Sequence, residues 1–183
     1  EYKKEKRQDI SRVTNKYIED CFKIAFLILK KKITNKFING PISKKKFLNR
    51  KYLGITEYIS NHFSVKNSAM LIYNKELSVC PITTHLPVKM ISGQINKKII
   101  IDKIKLIHKF YKKNFSFSPK IGVTGLNPHC ESIHPFNEDD KIIRPVIKKL
   151  SSLKIKISGP FSADTIFIKN NRKKFDIIVG MYH

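Results

Sequence analysis

The chain has 183 residues, and 41% of them are hydrophobic and 28% charged, which suits a folded domain with a real core and excludes a disordered tail. Its longest apolar run, Ile24–Leu29, is far short of the ~20 residues of a membrane span, and no basic-then-apolar leader opens it. The net charge of +23 would suit nucleic acid, yet only five of the 37 basic residues are arginine and the lysines are scattered over every segment.

The lysines accompany heavy use of Ile and Asn, residues that share A/T-rich codons, so genome composition accounts for much of the charge. A basic nucleic-acid-binding domain is therefore the weaker alternative. Cys21, Cys80 and Cys130 form no CxxC pair. That excludes a disulfide scaffold, argues against a cysteine-type structural zinc site and points to a reducing cytoplasm. The chain opens on Glu1 and closes on His183 directly after an apolar run, and so reads as an internal piece of a longer protein.

Residues 1–14 read as a polar surface segment. From Asn15 a helical pattern places Tyr17, Ile18, Cys21, Phe22, Ala25, Ile28 and Leu29 on one face and ends at Lys30–Lys32. A short strand-like run, Lys36–Ile38, breaks at Asn39-Gly40-Pro41. The Asn39–Lys44 loop has the backbone and lysine to meet an anion. A helix begins near Thr56. Met70–Tyr73 and Ser78–Ile82 read as two strands joined by a turn at Asn74-Lys75.

Lys97–Lys113 is amphipathic, with Ile100, Ile101, Ile104, Ile107, His108 and Tyr111 at helical spacing. Lys120–Thr124 is β-rich. Asn137 caps a helix with an acidic first turn, a core face of Ile142, Ile143, Val146, Ile147 and Leu150, and a kink at Pro145. Lys154–Ser158 and Phe175–Gly180 complete the strands. Strands alternating with helices predict an α/β layered fold.

Of six histidines, His108 reads as a packed or surface residue of a helix, His62 as a helix C-cap or exposed residue and His134 as ambiguous. His85, His129 and His183 share a context, each following a predicted strand. Ligands of open α/β sheets bind beyond the carboxyl ends of the strands. Three imidazoles at one such edge suit a catalytic divalent metal with an open fourth position, and ordinary packing histidines are the alternative. Asp164 is either an N-cap or turn residue or a carboxylate facing the same edge. No GxGxxG, GxxxxGK[ST] or GxSxG motif is present.

Thr83-Thr84-His85-Leu86-Pro87, Gly125-Leu126-Asn127-Pro128-His129, Gly159-Pro160 with Ala163-Asp164-Thr165, and Met181-Tyr182-His183 occur in this order. With Asn39-Gly40-Pro41-Ile42-Ser43-Lys44, they resemble the 4-hydroxythreonine-4-phosphate dehydrogenase family of pyridoxal phosphate biosynthesis from about Arg12 to His183. The resemblance implies a three-layer α/β/α fold of the isocitrate and isopropylmalate dehydrogenase type, here a partial domain over 1–183 that is incomplete at both ends.

It further implies NAD-dependent oxidation of 4-phosphooxy-L-threonine to a β-keto acid that decarboxylates to 3-amino-2-oxopropyl phosphate. The implied cofactors are NAD, bound without the glycine fingerprint, and a divalent metal, zinc first with magnesium or cobalt as alternatives. By motif match the metal ligands are His85, His129 and His183, drawn from both subunits of a homodimer, and Thr56 binds substrate. Asp164 is the candidate base. The family's Gly-His-Thr-Glu motif reads Gly54-Ile55-Thr56-Glu57 here, which keeps open a same-fold dehydrogenase for another phosphorylated hydroxy-acid. The piece alone is expected to be inactive.

Overall fold

A computed structural model describes residues 9–48 and 51–183. The chain, read above as one partial domain, forms two compact units, Glu1–Phe63 and Ser64–His183. Most of the surface segment expected over 1–14, with Arg7, lies outside the described residues, as does Arg50.

Among the described residues the first unit holds three helices, α1 (Asp9–Lys30), α2 (Lys44–Phe47) and α3 (Ile55–His62). The first begins six residues before the expected start at Asn15. Its buried face differs too: Phe22 and Phe26 are buried, whereas Tyr17 is 70% exposed and Cys21 is exposed. An aromatic cluster turns the helix. Phe22 stacks on Phe47 at 5.4 Å, Tyr58 meets Phe22 edge-on at 5.2 Å, and His62 stacks on Phe26 at 4.1 Å. Lys36–Ile38 forms no strand, and Ile38 is 94% exposed. Three residues with no ladder partner among the described residues leave their backbone to water.

The second unit is an α/β layer structure. Strands β1 (Ser78–Thr83), β2 (Ile121–Thr124), β3 (Ile157–Phe161) and β4 (Ile177–Tyr182) form one parallel sheet in the order β1-β4-β2-β3. Parallel strands covered on both faces read as continuous apolar runs, and Ile177, Ile178 and Val179 of the central β4 are fully buried. Helices α4 (Val88–Gln94), α5 (Lys97–Phe115) and α6 (Arg144–Ser152) belong to the crossovers. Ile100, Ile104, Ile107 and Tyr111 of α5 and Val146, Ile147 and Leu150 of α6 join the strands' Ile121, Val123 and Val179 in the core.

Gly122, between Ile121 and Val123, faces the other side. A Cβ there would meet Phe175 at 3.0 Å and Ile166 at 3.1 Å. Ile166 belongs to α7 (Ala163–Ile166), which with α8 (Lys169–Arg172) leads into β4. The unit is thus a parallel α/β fold with apolar packing on both faces of its sheet.

Two expectations are corrected. Met70–Tyr73 makes only an isolated antiparallel bridge, Ile72 to Val79, with Ile72 and Tyr73 each 51% exposed. Only half-buried Leu71 packs against the core, too little of an apolar face to pin a longer ladder. The helix expected from Asn137 opens as a π-helical turn, Asp139–Ile143, before α6. Pro145 has no N–H for the carbonyl one turn back, and the wider turn accommodates it.

Candidate functional site at the carboxyl edge of the sheet

Because all four strands are parallel, their carboxyl ends share one edge. His85 lies two residues beyond β1, His129 five beyond β2 and His183 one beyond β4. All three are on the edge that the strand-end argument selected. The register Thr83↔Tyr182 brings the first and last of them side by side, with ring centroids 6.3 Å apart. An imidazole nitrogen ~2.1 Å from a tetrahedral zinc leaves the ring centroid ~3.2 Å from it, so two rings on one such ion stand ~5 Å apart. The His85–His183 rings stand wider apart than that, so they are neighbours at the edge but not at ligating separation.

The third histidine does not join them within one chain. Among the described residues no group of three His, Cys, Asp or Glu side chains is placed to hold a metal. His129 instead shares a cavity of about 510 Å³ with Thr124, Ser162, Asp164 and Tyr182. Its backbone, like that of His85, is in the left-handed region, with φ of 57° and 56°. A second cavity, of about 440 Å³, is lined by Lys120, Lys156 and Lys174 and carries none of the histidines.

Asp164 is exposed in the first turn of α7. The Ser162 hydroxyl donates to its Oδ1 and holds the carboxyl below the usual range, with the His129 charge acting in the same direction. The N-cap of α7 is Ser162, so Asp164 is not the cap; it lies in the first turn and lines the same cavity as His129. Thr56 is half-buried in α3 of the first unit, one residue after Ile55. The Asn39–Ser43 loop is largely exposed, and Ser43 O accepts from the Lys46 and Phe47 amides. The Lys44 side chain lies outside the described residues.

His108 has a buried Nε2 with no hydrogen-bond partner, and burial lowers its pKa. His134 folds back on its own loop, where its Nδ1 lies 3.0 Å from Phe136 O. All three cysteines are free, and burial pushes the Cys80 thiol up to about 11.

One residue of this edge escaped the sequence reading. Asp139, read as a helix-dipole acid, is fully buried. Its Oδ1 accepts the Leu126 amide at 2.9 Å, and its Oδ2 accepts the Asn127 amide at 3.0 Å and Asn127 Nδ2 at 2.8 Å. The signal was present in the periodicity. Asp139 lies four residues before Ile143, so the core stripe extended back one turn passes through it.

Comparison with known proteins agrees with this architecture. A relative named 4-hydroxythreonine-4-phosphate dehydrogenase from Sulfurihydrogenibium sp. (strain YO3AOP1) is 40% identical over 171 residues, covering 91% of this chain and 51% of the relative. Another of that name from Wigglesworthia glossinidia brevipalpis is 38% identical over 150 residues, covering 80% and 45%. The crystal structure of 4-hydroxythreonine-4-phosphate dehydrogenase from Klebsiella pneumoniae superposes with a TM-score of 0.68 at 27% identity, over 79% of this chain and 45% of that one.

A terephthalate 1,2-cis-dihydrodiol dehydrogenase from Burkholderia xenovorans LB400 shares the fold, with a TM-score of 0.63 at 20% identity over 78% of this chain and 46% of that one. The chain spans about half the length of the curated relatives it matches. The family model described as pyridoxal phosphate biosynthetic protein PdxA matches residues 4–183, a stretch that includes every strand of the sheet and all three edge histidines. On that match the chain belongs to the PdxA family.

Proposed function

We propose that the protein carrying this chain oxidises 4-phosphooxy-L-threonine with NAD, giving a β-keto acid that decarboxylates to 3-amino-2-oxopropyl phosphate. The observation that carries the reading is the placement of His85, His129 and His183 at one sheet edge, with the first and last paired, in a chain whose relatives bear that dehydrogenase's name.

A divalent cation, zinc first with magnesium or cobalt as alternatives, supplies Lewis acidity toward the substrate hydroxyl, and NAD supplies the hydride acceptor. His85 and His183 of one subunit would hold the cation with His129 of a second copy, which makes the working form a homodimer with shared sites. Asp164 takes the hydroxyl proton. The Ser162 hydroxyl orients its carboxylate by donating to Oδ1. Thr56 binds the substrate. The reaction belongs in the cytoplasm, and no described helix is long and apolar enough to cross a membrane.

The test is NADH formation by the full-length protein with 4-phosphooxy-L-threonine, with and without a chelator. Activity abolished by chelation and restored by zinc is the expected result. A second reading is favoured by one residue, Ile55, which stands where the family has a histidine and can neither donate nor accept a side-chain hydrogen bond. It assigns the same chemistry to another phosphorylated hydroxy-acid. A substrate panel separates the two, with kcat/KM highest for 4-phosphooxy-L-threonine under the first reading.

A further inference from the structure

We propose that Asp139 is a positioning residue for His129. The loop from Gly125 to Cys130 carries that histidine, and its backbone is in the left-handed region at His129 and again at Cys130, where φ is 61°. Non-glycine residues hold that conformation only where their surroundings impose it.

The surroundings here are one turn of helix. Three N–H donors at the start of the loop converge on the buried Asp139 carboxylate at 2.8–3.0 Å, a pattern that demands an acceptor-only group. Asn127 Nδ2 also reaches Glu138 Oε2 at 3.0 Å, and Ser92 of α4 donates to Glu138 Oε1 at 2.7 Å. At the far end of the loop, Arg144 Nη2 donates to Cys130 O at 3.3 Å and Arg144 Nε donates to Asp140 at 2.8 Å. The loop is thus gripped at both ends by residues 138–144, the π-helical turn and the residue on either side of it.

Gly125 records how closely the loop is wrapped. A Cβ there would lie 2.6 Å from Asp139 Oδ1 and 2.7 Å from Cys130 Sγ. Outer residues that orient a metal-binding histidine change metal affinity by about 10–100-fold when removed. The inference rests on His129 being a metal ligand, so its test must separate the two claims.

The experiment is a zinc titration against a competing chelator on the full-length protein and on its Asp139→Asn, His129→Ala and doubly substituted forms. Proton–nitrogen NMR of the Leu126 and Asn127 amides and of the His129 ring accompanies it. Asn is isosteric with Asp but turns a donor toward donors. The expected result is about 10–100-fold weaker zinc binding in Asp139→Asn, with no further loss when it is added to His129→Ala.

Unchanged zinc affinity in Asp139→Asn, or an equal loss in the two backgrounds, would overturn the proposal, because a merely structural role adds independently of His129. If His129→Ala itself leaves zinc binding unchanged, the metal reading fails. The NMR then decides: displaced His129 ring signals in Asp139→Asn uphold the positioning, and unmoved ones refute it. Should Asp139→Asn not fold, Asn127→Ala removes one donor and the link to Glu138. A several-fold loss of zinc affinity that vanishes in the His129→Ala background is expected of it, and wild-type affinity would count against the proposal.

Discussion

Asp164 and His108 show how burial and partners divide titratable groups between chemistry and stability. Asp164 is exposed, shares a cavity with His129 and accepts from the Ser162 hydroxyl, which lowers its pKa. Replacing it by Asn keeps the shape and removes the proton acceptor. The expected outcome is a fall of about 10²–10⁴-fold in kcat with little change in zinc affinity, measured by steady-state kinetics and chelator competition.

His108 is the opposite case, since burial first and the Lys112 charge second lower its pKa from the ordinary 6.5. The unfolded chain therefore binds the proton more readily than the folded one. No penalty exists above pH 6.5, and stability is lost as pH falls through the window between 6.5 and the depressed folded value. His108→Leu removes this contribution. Its melting temperature is expected to change less between pH 7 and pH 5 than that of the parent, and parallel curves would contradict the assignment.

At the scale of elements, the sheet edge depends on close approaches that side chains would spoil. Gly159, with φ of 133°, has the Val123 carbonyl 2.5 Å from where a Cβ would sit. Gly159→Ala therefore meets both a strained backbone and a clash between β3 and β2, and a loss of about 1–3 kcal/mol in denaturant unfolding is expected. On the other face, Leu150 of α6 is fully buried in the core. Leu150→Ala leaves a cavity and is expected to cost about 2–5 kcal/mol in the same measurement. The acidic turn before α6 follows a different logic. Burial opposes ionisation of Glu138, but the Asn127 amide and Ser92 hydroxyl outweigh it and hold its carboxyl low.

For the whole molecule, the decisive grouping is which histidines share a subunit. His85 and His183 are neighbours in one chain through the β1–β4 pairing, and His129 is apart from them. The informative subunit mixture therefore combines His85→Ala with His129→Ala. If each site takes His85 and His183 from one subunit and His129 from the other, a mixed dimer regains one intact site in two, although each parent homodimer is dead. A mixture of His85→Ala with His183→Ala should regain none, since every site then loses a ligand. Recovery in the second mixture and not the first would show the ligands to be grouped otherwise.

Much of this was legible in the linear sequence. The amphipathic period of Lys97–Lys113, the Ile/Val runs of three of the parallel strands and the histidines after them are local patterns, and the side-chain repeats of helix and strand translate directly into position. The rest depended on residues distant in the chain. Phe26 replaced Tyr17 on the buried face of α1 because aromatic rings from two later segments collect around it. Asp139 became an internal acceptor because the half-buried loop after β2 turns its backbone donors inward onto it. The three histidines were identifiable by type and context alone. That two of them pair while the third stands with Asp164 was decided by strand order, since β4 lies between β1 and β2 and only tertiary packing sets which strand ends are neighbours.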